Sequence, residues 1–231
     1  MSMRWEMTHS IRRTLASARK DFSDFTAEST VDFLFSENAH EIAPWQYQEE
    51  LRLLAKEIEE CKPRTVVEIG TASGGTLFLA SALAADDALI ISIDLPEGEF
   101  GGGYPSWKVP LYSSFKRKKQ RIELIRGNSH EPGIFQQVES LVGSRRIDYL
   151  FLDGDHTYEG VKKDFSHYAK LLGENALVAF HDIVSDKSIP PTHFVSVFWN
   201  EIKKQYPSKE FIRGINQSKL GIGVIRVNHQ T

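Results

Sequence analysis

Apolar residues along this chain fall into two alternating patterns: short β-branched runs, and longer stretches in which apolar positions recur at helical spacing. Thr65, Val66, Val67 and Ile69 form the first run and predict a strand. Gly70 interrupts it, and a helix is predicted over residues 76–83. Further strands are predicted at residues 88–94, 122–125, 149–152 and 176–180. The run 149–152 is apolar without alternation, as expected of a parallel strand covered on both faces. Ahead of the first strand, Pro44 opens a predicted helix over residues 44–60 with Leu51, Leu54 and Ile58 as its stripe. Helices are also predicted at 135–142 and 195–206, and a closing pair of strands at 210–215 and 221–227, short-linked and so antiparallel. Residues 1–35 show Ile11, Leu15, Phe22 and Phe25 among charges and predict one or two amphipathic helices. These admit three roles: a cap on the main domain, a lid over its site, or the arm of a homodimer.

At 231 residues the chain suits one α/β domain. A formal net charge of -3 gives no electrostatic reason to bind nucleic acid or an anionic membrane, which leaves small molecules as the expected partners. Cys61 is the one cysteine, so no internal disulfide or cysteine-based zinc site forms, and a reducing, cytoplasmic location is expected. No apolar run approaches the roughly 20 residues that a membrane helix needs.

The strand, turn and helix around Gly70 have the layout of a nucleotide site, but the glycines stand at Gly70, Gly74 and Gly75. A dinucleotide fingerprint needs a glycine two residues after the first, and Ala72 occupies that place. No Lys followed by Ser or Thr comes after Gly75, which excludes a phosphate-cradling loop. Glu68 would repel phosphate. The expected ligand is therefore adenosyl-like but cationic, a description that S-adenosylmethionine fits. Asp94 ends the second strand twenty-four residues beyond Gly70, about where a carboxylate meets ribose hydroxyls. Residues 95–112, rich in Gly and Pro with Phe100, Tyr104 and Trp107, predict a loop over the site. The basic run 115–121 predicts a solvated face. Arg126, Gly127, Asn128 and Ser129 follow the third strand, where polar groups meet adenine. Asp153, Asp155 and His156 follow the fourth, and His181 and Asp182 follow the fifth. Neighbouring strands lie about 4.8 Å apart, so these two clusters would face each other at one rim, at a spacing that suits one metal ion.

The residues EIGTASGG from Glu68, the acid at Asp94, FLDGDHTYEGVKKD from Phe151 and FHDI from Phe180 together resemble class I S-adenosylmethionine-dependent methyltransferases. The resemblance is to the small-molecule O-methyltransferase group that contains macrolide, aminocoumarin and rhamnosyl sugar O-methyltransferases and proteins labelled cephalosporin hydroxylase. It covers residues 44–227, dividing the chain into a cap or lid at 1–43 and a cofactor-binding domain at 44–231. It implies a Rossmann-like α/β fold with a seven-stranded, mostly parallel sheet, an antiparallel last hairpin and helices on both faces. Carried over by position, Glu68, Gly70, Ser73 and Gly74 would lie along the methionine part of the cofactor. Asp94 would hold the ribose, Asn128 and Ser129 would border the adenine, and Asp153 would close the site. A divalent metal such as magnesium or manganese would be held by Asp153, His181 and Asp182, with Asp155 as base. His181 stands where that group has a carboxylate, which favours manganese, iron or zinc over magnesium and also admits a metal-free mechanism with His181 as base. Implied is methyl transfer to a hydroxyl of a small molecule, in the sugar or glycosylated class. Two other readings use the same fold: a non-catalytic nucleotide-binding or accessory protein, and a nicotinamide oxidoreductase that Ala72 disfavours.

Overall fold

The computed structural model describes residues 25–98, 103–184, 195–214 and 216–228. Five strands, β1 (Thr65–Ile69), β2 (Leu89–Asp94), β3 (Arg121–Arg126), β4 (Ile147–Leu152) and β5 (Leu172–His181), pair in parallel. β6 (Ser208–Phe211) and β7 (Ile222–Val227) form the closing hairpin, and β7 runs antiparallel to β5. The strand order is β3-β2-β1-β4-β5-β7-β6. The order reverses between β1 and β4, so the carboxyl ends of those two strands form a crevice.

Alternation along the strands divides the core. Val66, Ile90, Phe151, Ala179 and Val224 face one layer of helices; Val67, Ile91, Leu150, Val178 and Ile225 face the other. The first layer contains α1 (Ala27–Leu34), α2 (Gln48–Cys61), α3 (Gly75–Leu83) and the short α4 (Val109–Ser113). The second contains α5 (Pro132–Val142), α6 (Tyr158–Tyr168) and α7 (Val195–Ile202). Within the amino-terminal segment, α1 is capped by Thr26 and buries Val31 and Leu34 in the same cluster as Leu51 and Leu54 of α2. Ile11, Leu15 and Phe22 lie outside the described residues.

Several expected boundaries move. α2 starts at Gln48 rather than Pro44, because the chain from Pro44 to Tyr47 crosses the strand-end rim before turning into the helix. β5 is longer than its apolar run, extending back to Leu172 past Asn175, which adopts a φ of 58°. α7 ends at Ile202, and β6 lies at Ser208–Phe211 rather than 210–215. The expected loop after β2 contains α4, and its Tyr104 and Tyr112 are buried. Phe100 lies outside the described residues, while Lys116, Lys118 and Lys119 are exposed as the charge run predicts.

Candidate functional site

The crevice is built first by backbone. Gly70 N donates to Ile93 O at 2.9 Å and Asp153 N to Ile69 O at 2.8 Å, so the loops after β1 and β4 leave the sheet side by side. Gly70 has a φ of +87°, and a Cβ there would lie 2.0 Å from the Asp153 carbonyl oxygen. The glycine is thus required by the meeting of two backbones at the switch point. Beyond it opens a cleft of about 340 Å³, lined among others by Gly70, Ala72, Asp94, Asn128, Asp153 and Asp155. Asp94 lies at its floor: Oδ2 accepts from Ala72 N at 2.9 Å and from Tyr104 N at 3.3 Å. Burial pushes its pKa up, and the backbone donors oppose that rise. Gly127, Asn128, Ser129 and His130 form the far wall. Asn128 Oδ1 accepts from His130 N at 2.9 Å, which fixes this turn.

Glu68, Ser73 and Gly74 do not line this cleft. Glu68 is 1% exposed, enclosed beneath the glycine turn, where Thr71 Oγ1 donates to its Oε2 at 2.9 Å. Burial pushes its pKa up to about 8, so it is largely a neutral carboxyl that supports the turn. Ser73 Oγ donates instead to Ala43 O at 2.8 Å. Gly74, at a φ of +94°, packs on the ring of Tyr112 and begins α3.

The second cluster lies at the ends of β4 and β5. Asp153 Oδ1 is 2.8 Å from His181 Nδ1 and 3.6 Å from His156 Nε2, and Asp182 Oδ2 is 2.8 Å from His156 Nδ1. Facing carboxylates, the ring nitrogens donate. Asp182 reaches in with a φ of 57°, which turns its carboxylate back over the strand end. Asp153, His181 and Asp182 can each offer a ligand atom, and these lie within 4.8 Å of one another. Two carboxylates and one imidazole at that separation fit a divalent ion of the manganese, iron or zinc type. Burial pushes the His181 imidazole down, but Asp153, Asp182 and Glu50 outweigh it and raise its pKa to about 9. Asp182 and Asp153 likewise raise His156 against the effect of burial. Glu50 is buried behind them, accepting from Gly221 N at 3.1 Å, and burial pushes its pKa up.

Asp155 stays apart from this group. Its Oδ1 accepts from Thr157 N at 2.9 Å, and its carboxylate packs on Gly160 in the first turn of α6 while still lining the cleft. Two contributors carried no assigned role in the sequence. His156 stood in the strand-end cluster read from the sequence, but without a role of its own. Gln46 donates from Nε2 to Asp153 Oδ2 at 2.8 Å across 107 residues of chain, and no local signal marks it.

A methyltransferase-domain family profile matches residues 67–183. An uncharacterised protein of Acanthamoeba polyphaga mimivirus, R132, is 30% identical over 118 residues, which are 51% of this chain and 51% of that protein. A second, y4gI of Sinorhizobium fredii, is 27% identical over 128 residues, which are 54% of this chain and 14% of that protein. The chain thus spans about half of the first and a seventh of the second. Among solved structures, an O-methyltransferase from Bacillus cereus in complex with S-adenosylhomocysteine superposes with a TM-score of 0.60 at 16% identity, covering 86% of this chain and 91% of that one. The O-methyltransferase TomG from Streptomyces achromogenes, involved in tomaymycin synthesis and complexed with S-adenosylmethionine, gives 0.56 at 17% identity, covering 89% and 91%. At these identities the structural likeness is one of fold.

Proposed function

This chain belongs to the methyltransferase-domain family, and from that premise we propose that it moves a methyl group from S-adenosylmethionine to a hydroxyl oxygen of a small molecule, with a divalent metal at the β4–β5 rim. One observation carries the choice of donor. The cleft at the switch point is lined by Asp94, Glu97, Asp153 and Asp155 and, among its lining residues, by no lysine or arginine. A pyrophosphate would meet carboxylates there, whereas a ligand with an ammonium and a sulfonium meets the charge it needs. Asp94 accepts hydrogen bonds from the ribose hydroxyls, and Asn128 and Ser129 border the adenine. The two solved neighbours named above, O-methyltransferases complexed with the donor or its demethylated product, support the choice of donor and of oxygen as acceptor atom.

The transfer is an in-line displacement. An oxygen lone pair forms the new bond to the methyl carbon, the carbon–sulfur pair stays on sulfur, and the hydroxyl proton leaves to a base. Most of the barrier is removed by alignment, which the facing cofactor and rim clusters supply. Asp153, His181 and Asp182 would hold the metal. When bound, a divalent ion would lower the pKa of the acceptor hydroxyl and offset the carboxylate charge that raises the pKa of His156. Asp155 takes the proton in the leading form of this reading. A second form assigns the proton to His156 once a bound ion has offset the charge of Asp182 and Asp153 beside it, whereas Asp155 Oδ1 already accepts from Thr157 N at the start of α6. The acceptor is in the sugar or glycosylated-metabolite class, and the lone Cys61 suits a cytoplasmic setting. Residues 1–43 act as a cap on the main domain, a lid over its site or a dimer arm, and the burial of Val31 and Leu34 beside α2 favours the cap.

Calorimetric titration against S-adenosylhomocysteine and NAD tests the donor, and tighter binding of NAD would remove this reading. Turnover of labelled donor with cell extract, before and after chelation and manganese return, tests the metal. Asp155→Asn and His156→Gln separate the two bases, the true base being the one whose loss removes turnover and leaves donor affinity unchanged.

A further inference from the structure

The segment that precedes α2 crosses the rim as a fastened strap. Ser73 Oγ donates to Ala43 O at 2.8 Å, Lys108 Nζ donates to Glu41 O at 3.2 Å, and Gly75 packs so closely that a Cβ there would lie 2.5 Å from Ile42 O. From the end of this strap the side chain of Gln46, 6% exposed, reaches Asp153. A carboxylate oxygen only accepts, so the bond fixes which way the amide faces: Nε2–H points at Asp153 Oδ2.

We infer that Gln46 is a positioning residue, which holds Asp153 so that Oδ1 alone is presented to His181, His156 and the reacting centre. The inference rests on the proposed function for its consequence, since Asp153 matters to the reaction only if the rim is where the acceptor oxygen is activated. Asp153 has two oxygens and a soft terminal torsion. Oδ1 has imidazoles at 2.8 and 3.6 Å, and Oδ2 has Gln46 at 2.8 Å. Without the amide, the carboxylate is free to turn and to share both oxygens with whatever occupies the rim. An amide suits this task better than a lysine or arginine. It supplies a donor without a positive charge, and a charge there would repel both a divalent ion and a sulfonium methyl donor. The residue comes from outside the segment shared with the methyltransferase-domain family, which begins at residue 67. The family's central domain thus supplies Asp153, and the strap sets its direction.

The test uses the full chain with S-adenosylhomocysteine bound and two variants of similar side-chain size, Gln46→Leu and Gln46→Met. Three quantities are read: S-adenosylhomocysteine affinity by calorimetry, affinity for manganese alone by electron paramagnetic resonance, and the downfield, exchange-protected proton of the His181 ring N–H bonded to Asp153, assigned by its loss in His181→Gln. In both variants cofactor affinity should stay within twofold, manganese affinity should fall at least tenfold, and the ring proton should shift or exchange away. A variant that keeps both the manganese affinity and the ring signal of the parent overturns the inference. Loss of cofactor binding in both variants also overturns it, because Gln46 would then support the fold at large. If the parent binds no manganese, the metal leaves the proposed function and the ring proton alone decides the role of Gln46.

Discussion

At the β1–β2–β3 end of the rim the chain presents mostly backbone and two carboxylates, Asp94 and Glu97; at the β4–β5 end it presents Asp153, His156, His181 and Asp182 in contact. The first region has its shape fixed by dihedral angles, with Gly70 and Gly74 at positive φ and Asp94 bonded to backbone N–H groups. The second has its shape fixed by charge, each group held by another that it would otherwise repel or leave unsatisfied. A backbone site can recognise a common cofactor with little dependence on which side chains surround it. A side-chain site can be retuned by single substitutions, which suits the half of the reaction where acceptors differ.

The sharpest way to break this comparison is Gly70→Val. Strain at φ +87° and collision with the Asp153 carbonyl should together cost on the order of 3 kcal/mol or more, with loss of S-adenosylhomocysteine binding, read by urea denaturation and calorimetry. A variant that folded and bound normally would show that the two backbones do not meet as described. Next, Asp182→Asn should abolish turnover and weaken manganese binding at least tenfold while leaving cofactor affinity intact. A parallel fall in cofactor affinity would mean that the two regions are one site. Asp94→Ala should weaken cofactor binding by about 1.5–3 kcal/mol, the range for a hydrogen bond to a charged group, and calorimetry gives the value directly. Unchanged affinity would move the ribose contact away from β2.

The smallest effect concerns the neutral acid under the glycine turn. The folded pKa of Glu68, about 8, lies above its unfolded value of 4.5, so the folded state holds the extra proton between them. Its contribution to stability is therefore fully present below the unfolded value and is lost as pH rises through about 8. His181, raised to about 9, changes stability in the same direction between its ordinary 6.5 and that value. The difference between parent and Glu68→Gln isolates the acid. Melting temperature in the parent should fall from pH 6 to pH 9 by a few degrees more than in Glu68→Gln, where an amide replaces the titrating group. Equal slopes would place an ionised carboxylate under the turn.

The comparison also explains what sequence reveals. The carboxyl ends of the parallel strands and the glycine turn were legible because each depends on neighbours a few residues away, the place of Asp94 in the cleft followed from its position at the end of β2, and the antiparallel hairpin followed from its short link. The roles of Glu68 and Ser73 were not, because a motif gives the residue and not its direction: one points beneath the loop, and the other is taken by Ala43. The Asp153, His181 and Asp182 grouping was legible as residue types at successive strand ends, but the separation of Asp155 from it was not. That separation depends on Gly160 leaving room for a carboxylate in the first turn of α6. Gln46 was read as part of a helix because its neighbours have helical composition. Its contact lies 107 residues away, where periodicity carries no information.

The position of β7 has a consequence for cutting this protein down. The family match stops at residue 183, yet the far side of β5 is paired along Ala176–His181 by β7, and the same hairpin is fastened to α2 through Glu57, which accepts from both Lys209 and Arg226. A fragment trimmed to the shared segment would leave a long apolar strand with open hydrogen-bonding groups on one side, a template for sticking to its own kind. The smallest soluble piece should therefore retain both flanks, from α1 to the end of β7.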